Sequence, residues 1–206
     1  MKILVTAGAT WVKVDEVRIL TNRFTGRTGL YLAKGLKRKG HSVTLLINPH
    51  CVGKIKGMKT HYYHYFDDFK REVASLLKKN SYDAIVHTAA ISDYKLKKTY
   101  KDKIPSKKKS LNFQLIPTQK IIKTIRKSAK KALLIQFKLE AKKKGLLASA
   151  YESLKSNKSD LVVANALPDL AQGYKGFIMD KKGEISFVDS KTSLLAILNR
   201  AISYSK

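Results

Sequence analysis

Apolar residues recur along the chain in short unbroken runs: ILVT (3–6), VTLLI (43–47), AIVHTA (84–89), LLIQF (133–137) and LVVA (161–164). Runs of this length suit strands buried on both faces of a parallel sheet. Between them the spacing becomes that of a helix. Over 26–39, Leu30, Ala33 and Leu36 share one face, and Gly40 stands where a left-handed residue would close the helix. Over 67–79 the stripe is Phe69, Val73, Leu76 and Leu77, with Asp67 placed as N-cap. Residues 118–129 and 145–157 follow the same pattern. This alternation predicts an α/β fold built on a doubly wound, mostly parallel sheet.

Two segments break the alternation. Residues 95–117 hold a lysine-rich loop and then LNFQLIP, where Leu111, Phe113 and Leu115 alternate with Asn112 and Gln114, the period of a strand with one wet face. This predicts a projecting β flap. Near the C-terminus, GFIMDKKGEISFV carries two β-rich runs about a short turn, and SLLAILNRAI closes the chain as a helix. With no internal repeat or low-complexity linker, residues 1–206 are expected to form one domain.

Composition changes the picture in one respect. A hydrophobic content of 44% is ordinary, but the net charge of +27 is not. Only seven of the 42 basic residues are arginine, and the lysines are scattered over every predicted helix rather than gathered in an arm. Base and phosphate recognition by nucleic-acid-binding proteins favours the planar guanidinium, so the charge describes a solvated surface with a field for phosphorylated metabolites better than a nucleic-acid interface. Cys51 is the sole cysteine, which excludes an intrachain disulfide and zinc-type Cys/His spacing. The opening MKILVTAGAT is too short for a secretory core, and no run approaches the length of a membrane span. A cytoplasmic protein without membrane association is expected.

In an open parallel sheet, ligands bind where loops leave the carboxyl ends of strands. The first such loop, TAGAT, contains Gly8, which brings backbone close to a ligand or simply makes a tight turn. Further on, VRILTNRFTGRTG packs arginines, threonines, Gly26 and Gly29 before a helix, a composition suited to an anion cradle, although it is neither a Walker loop nor a dinucleotide fingerprint. In HTAAISDY, Ala89 and Ala90 leave room against the backbone, while Asp93 binds a polar group or caps a turn. His87 has no nucleophile beside it and reads as a satisfied strand histidine. Lys103 differs from its neighbouring lysines because Ile104-Pro105 follows it. Phe137 and Asn165 end the fourth and fifth strands, where core packing and turn formation are competing explanations.

Taken in order, ILVTAGAT, DEVRILTNRFTGRTG, HTAAISDY, KIPS with LNFQLIPTQKII, QFKLE and DLVVAN resemble the phosphopantothenate–cysteine ligases, or phosphopantothenoylcysteine synthetases, of coenzyme A biosynthesis. The resemblance covers residues 3–166 and looks like a stand-alone form, without a fused flavin decarboxylase. It implies a Rossmann-like fold and a two-step reaction. A nucleoside triphosphate, CTP or ATP with Mg²⁺, activates the carboxylate of 4′-phosphopantothenate with loss of pyrophosphate, and the cysteine amine then displaces the nucleotide. By position, Gly8, Gly26 and Gly29 match nucleotide-phosphate contacts, and Phe137 and Asn165 lie near the base. Asn22 matches the amide that holds the substrate carboxylate and later the acyl carbonyl; Ala89, Ala90 and Asp93 line the pantothenate side. Lys103 matches the flap lysine at the α-phosphate, and Arg18 an arginine that reaches the substrate phosphate from the other subunit of a homodimer. No residue is assigned to a metal.

The chain departs from the pattern at Ala9, where a second glycine is usual, at Phe24, where a small hydroxyl residue is usual, and at Gln119, where proline is common. Lys155 and Lys158 miss the register of the lysine pair found in CTP-using members, while FKLE resembles ATP-using ones. Two rival classes share parts of this reading. A short-chain-type NAD(P) oxidoreductase would use a Tyr-x-x-x-Lys pair, and Tyr151 and Lys155 have that spacing; a basic RNA-binding module would explain the charge but not the ordered loops.

Overall fold

The structure is a computed structural model that describes residues 1–107, 109–171 and 173–205. Strand β1 (Lys2–Ala7) leads into a small hairpin of β2 (Trp11–Lys13) and β3 (Ile19–Thr21), then helix α1 (Arg27–Arg38), β4 (Ser42–Ile47) and β5 (Lys59–Tyr62). Helix α2 (Phe66–Lys79) precedes β6 (Ala84–His87), a second hairpin of β7 (Tyr94–Leu96) and β8 (Leu115–Pro117), and α3 (Ile121–Ser128). The remainder is β9 (Leu133–Glu140), α4 (Leu146–Asn157), β10 (Leu161–Ala166), the short α5 (Leu167–Ala171), β11 (Gly176–Asp180), β12 (Ile185–Val188) and α6 (Lys191–Ser203).

The main sheet has eight strands in the order β12-β11-β10-β9-β6-β1-β4-β5. Its last six run parallel, and β11 and β12 close one edge antiparallel. Period-2 alternation divides the side chains of each strand between two cores. From β1, Ile3, Val5 and Ala7 face a layer made by Leu32 and Leu36 of α1 and Leu194 and Leu198 of α6. Leu4 faces the opposite layer, with Phe69 and Val73 of α2 and Ile121 and Ile125 of α3. On that side Leu146, Ala150 and Leu154 of α4 cover Val162 and Ala164 of β10.

The doubly wound expectation holds, with local corrections. Helix α2 is capped by Tyr65 rather than Asp67, because Asp68 returns its carboxylate to the Tyr65 N–H at 3.2 Å and Phe66 is already buried in the core. The strand expected over 84–89 ends at His87, and α3 begins at Ile121 rather than at 118. The flap pairs only Tyr94–Leu96 with Leu115–Pro117; residues 111–114 form no strand and 111–115 are exposed at every position, so the expected alternation of a dry and a wet face is not found there, because no core layer packs over Leu111 and Phe113. Strand β5, with sequence KTHY, and the three-residue strands of the β2–β3 hairpin carry no apolar run that would announce them.

Strand order reverses at β1. Its successor in the chain within the sheet, β4, lies on one side and β6 on the other, so the loops after β1 and β6 part and leave a crevice at their carboxyl ends.

Candidate active site

The crevice is a cleft of about 340 Å³. One wall is the start of α1, from Phe24 to Gly29; the other runs from Thr88–Ala90 after β6 to Phe137, Lys138 and Leu139 on β9. Gly8, Asn165, Tyr174 and Lys191 are also among the residues that line the cleft. A smaller neighbouring hollow is lined by Gly8, Ala9, Trp11, Asn22, Phe24, Asn48 and His50, so Phe24 stands between the two.

Glycines are what let the walls meet. Gly8 has φ +86°, Gly26 has φ +79°, and a Cβ on Gly26 would lie 2.6 Å from the Gly8 nitrogen. On Gly29 it would lie 2.4 Å from Thr88 Oγ1 and 2.6 Å from Ala7 Cβ. The tight turn and the close approach, alternatives for Gly8 in the sequence, are therefore one feature: backbone packs on backbone at the mouth of α1. Gly26 caps that helix without a side-chain hydrogen bond, and its first turn has no acidic residue. Its leading N–H groups and the positive end of its dipole open on the cleft.

The lining is cationic. Among the described residues, Arg27, Lys138 and Lys191 line the cleft and no carboxylate does. Lys138 is paired with Glu140 at 3.1 Å, whereas Arg27 and Lys191 have no ion pair among the described residues. Nor do the described residues contain any group of three or more His, Cys, Asp or Glu able to hold a metal ion.

Seven of the sequence candidates, Gly8, Gly26, Gly29, Ala89, Ala90, Phe137 and Asn165, come together around the cleft. Asn22 lies in the adjoining hollow, with its amide nitrogen 3.4 Å from the Ala90 carbonyl oxygen. Asp93 lies instead on a third hollow beside Ala89 and Phe137, where Lys120 Nζ approaches its carboxylate at 2.6 Å. Arg18 and Lys103 line none of these spaces; Arg18 bonds the Asp15 carboxylate and the Ile104 carbonyl of its own chain. Asn165 is a positioning residue more than a contact: its amide donates to the Lys175 carbonyl at 2.6 Å and accepts from Tyr174 Oη at 3.2 Å, which sets Tyr174 at the cleft. Reading the sequence alone missed Asn48, Lys138, Tyr174 and Lys191. Asn48 follows β4 directly and was accessible to the carboxyl-end rule; Lys191 is one lysine among many with no local mark.

His87 is indeed a satisfied strand histidine. Its Nδ1 lies 2.7 Å from Thr6 Oγ1, and burial pushes its pKa down from 6.5 to about 4. Between those values the unfolded chain takes up the proton and the native one does not, so stability rises with pH. Relative to His87→Gln, the wild type is expected to lose about 3 kcal/mol as pH falls from 6.5 toward 4, read from urea unfolding at several pH values. Equal losses in both proteins would show that His87 is not the titrating group.

Tyr151 and Lys155 lie outside the cleft. The Lys155 ammonium sits 4.1 Å from the Tyr151 ring centroid on α4, a cation–π contact on the helix surface, so the oxidoreductase reading loses its catalytic pair.

A family model described as the DNA/pantothenate metabolism flavoprotein C-terminal domain matches residues 1–197. The chain belongs to this family. The coenzyme A biosynthesis bifunctional protein CoaBC of Thermococcus kodakarensis is 32% identical over 168 residues, covering 81% of this chain and 41% of the relative. CoaBC of Bacillus subtilis is 27% identical over 173 residues, covering 84% and 42%. The chain thus spans about two fifths of the length of these relatives. Among solved structures, the DNA/pantothenate metabolism flavoprotein from Streptococcus pneumoniae superposes with a TM-score of 0.90 at 25% identity over all of both chains. The fold also matches a Cab2 mutant in complex with phosphopantothenate-cysteine, with a TM-score of 0.80 at 19% identity, covering 98% of this chain and 87% of that one. The match to the Streptococcus pneumoniae structure extends over the whole α/β fold, including the eight-stranded sheet of this chain. Among the described residues no helix is long and apolar enough to cross a membrane.

Proposed function

We propose that the protein joins 4′-phosphopantothenate to cysteine through an acyl-nucleotide, as the synthetase domain of coenzyme A biosynthesis. The observation that carries this reading is the glycine-walled, carboxylate-free cleft at the start of α1, where backbone N–H groups, Arg27, Lys138 and Lys191 suit a nucleoside triphosphate. Gly8, Gly26 and Gly29 shape the phosphate site, and Phe137 and Tyr174 flank the base, with CTP and ATP both compatible. Mg²⁺ would arrive with the triphosphate oxygens, since the cleft supplies no acid.

In the first step a carboxylate oxygen of 4′-phosphopantothenate attacks the α-phosphate and pyrophosphate leaves. In the second the cysteine amine attacks the acyl carbon and the nucleoside monophosphate leaves. Asn22, beside Ala90 in the hollow next to the nucleotide cleft, holds the carboxylate and then the carbonyl oxygen. Lys103, which lines none of these hollows in its own chain, is assigned by the family resemblance to the charge growing at the α-phosphate. Ala89 and Ala90 leave space for the pantothenate chain, and Asp93 lies at its outer end.

Arg18 is assigned to the substrate phosphate of the partner's site in a homodimer. Support comes from exposed apolar side chains on the two hairpins: Val17 is 66% exposed, and Leu20, Tyr94 and Leu115 are also exposed, side chains that a second copy would cover.

Incubation with 4′-phosphopantothenate, cysteine, Mg²⁺ and either CTP or ATP should release pyrophosphate and yield 4′-phosphopantothenoylcysteine. Absence of pyrophosphate with both nucleotides would refute the ligase reading.

A further inference from the structure

The flap is held down at one point by a buried charge. The Asp15 side chain has no solvent exposure, yet it is an ionised carboxylate with four N–H groups around it. Oδ1 accepts from Val17 N at 2.8 Å and Arg18 N at 2.7 Å. Oδ2 accepts from the Arg18 guanidinium and, across 89 positions of sequence, from Ile104 N at 3.0 Å. The Ile104 carbonyl accepts from Arg18 Nη1 at 3.2 Å. Both backbone polar groups of Ile104 are thus held by the Asp15–Arg18 pair.

The surroundings reinforce the contact. Ile104 is buried against Val12, Val14 and Leu96, and Tyr100 N donates to the Val14 carbonyl at 2.9 Å. Pro105 biases Ile104 toward an extended backbone. The N–H donors, foremost that of Ile104, hold the Asp15 carboxyl well below the usual carboxylate range despite its burial. A charge removed from water is tolerated only where such partners converge.

We propose that Asp15 is a positioning residue: its carboxylate latches the flap onto the β2–β3 hairpin at Ile104 and so fixes Lys103 and Arg18 relative to each other. Lys103 directly precedes the latched amide, one Cα step of about 3.8 Å away, while Arg18 is oriented by the same oxygen. A single carboxylate thereby sets the reach of both cations. The catalytic consequence rests on the ligase reading; the latch itself does not.

The test is Asp15→Asn, which keeps the shape and loses the charge. Trypsin cleavage mapped by mass spectrometry at a temperature where both proteins stay folded is expected to accelerate at least tenfold after Lys98, Lys101, Lys103 and Lys107, with unchanged rates outside the flap and the β2–β3 hairpin, and the melting temperature should fall because a buried ion pair is lost. Pyrophosphate release should fall at least tenfold, with a raised KM for 4′-phosphopantothenate. Unchanged cleavage in the flap would overturn the latch. Faster cleavage with wild-type pyrophosphate release would overturn the positioning role. A wild type that releases no pyrophosphate would defeat the ligase reading, and the proteolysis would still judge the latch. Should Asp15→Asn fail to fold, amide hydrogen exchange in the wild type decides: the Ile104 N–H must exchange at least tenfold more slowly than those of residues 101–103, and equal rates would overturn the proposal.

Discussion

Gly26→Ala is expected to destabilise the protein by about 3 kcal/mol and to abolish nucleotide binding. A left-handed backbone costs an L-residue about 1–2 kcal/mol, and forced overpacking adds about 1–3 kcal/mol. Both apply here: φ is +79°, and the new methyl would lie 2.6 Å from Gly8 N and 2.8 Å from Gly8 Cα. These are backbone atoms on the loop after β1, so no side chain can swing aside. Relief requires α1 to move away from β1, which opens the site where its N–H groups converge. Gly40→Ala is the control, because Gly40 has φ +88° with nothing within 4 Å of where the new methyl would sit. It should show the conformational term alone, about 1 kcal/mol. Urea unfolding of both variants, with thermal shifts by CTP and ATP, separates the terms; equal losses would refute the packing account.

Lys103→Ala is expected to cut pyrophosphate release about a hundredfold while the melting temperature hardly moves. An ammonium near the α-phosphate contributes most as charge develops in the transition state, and removing one such donor typically costs about 10²–10³ in rate. Lys103 itself is exposed on the flap, where truncation removes no packing. Activity within about threefold of wild type would make it one more solvated lysine. The same variant tests the shared site. Arg18→Ala and Lys103→Ala proteins should each be nearly inactive, yet mixing them should restore about a quarter of wild-type activity. About half the dimers are then mixed, and each has one complete site in two. No recovery after confirmed subunit exchange would place Arg18 in its own chain's site or in the fold alone.

The assignment of roles depends on how far short local patterns travel. The carboxyl-end rule led to Gly8, Ala89, Ala90, Phe137 and Asn165, and these do converge at the switch point. It did not reveal that Asn165 serves Tyr174, since that depends on the path of the 174–175 backbone back toward β10. Nor could it place Asp93, whose partner Lys120 is 27 positions away.

The core and the order of strands and helices around it were legible in the chain, because buried strands and helix stripes are written as local periodicities of apolar residues. The ordered loop motifs that carry the family resemblance were legible for the same reason: each is a short, contiguous string. Other features emerged only on folding: that Gly26 and Gly29 are required by contact with β1 and Thr88, that β5 joins the sheet with the polar sequence KTHY, and that Asp15 holds Ile104. Each of these is a contact between segments distant in the chain. A buried carboxylate, a polar edge strand and a close backbone approach leave no periodic trace, because their energies come from partners that only the fold brings within reach.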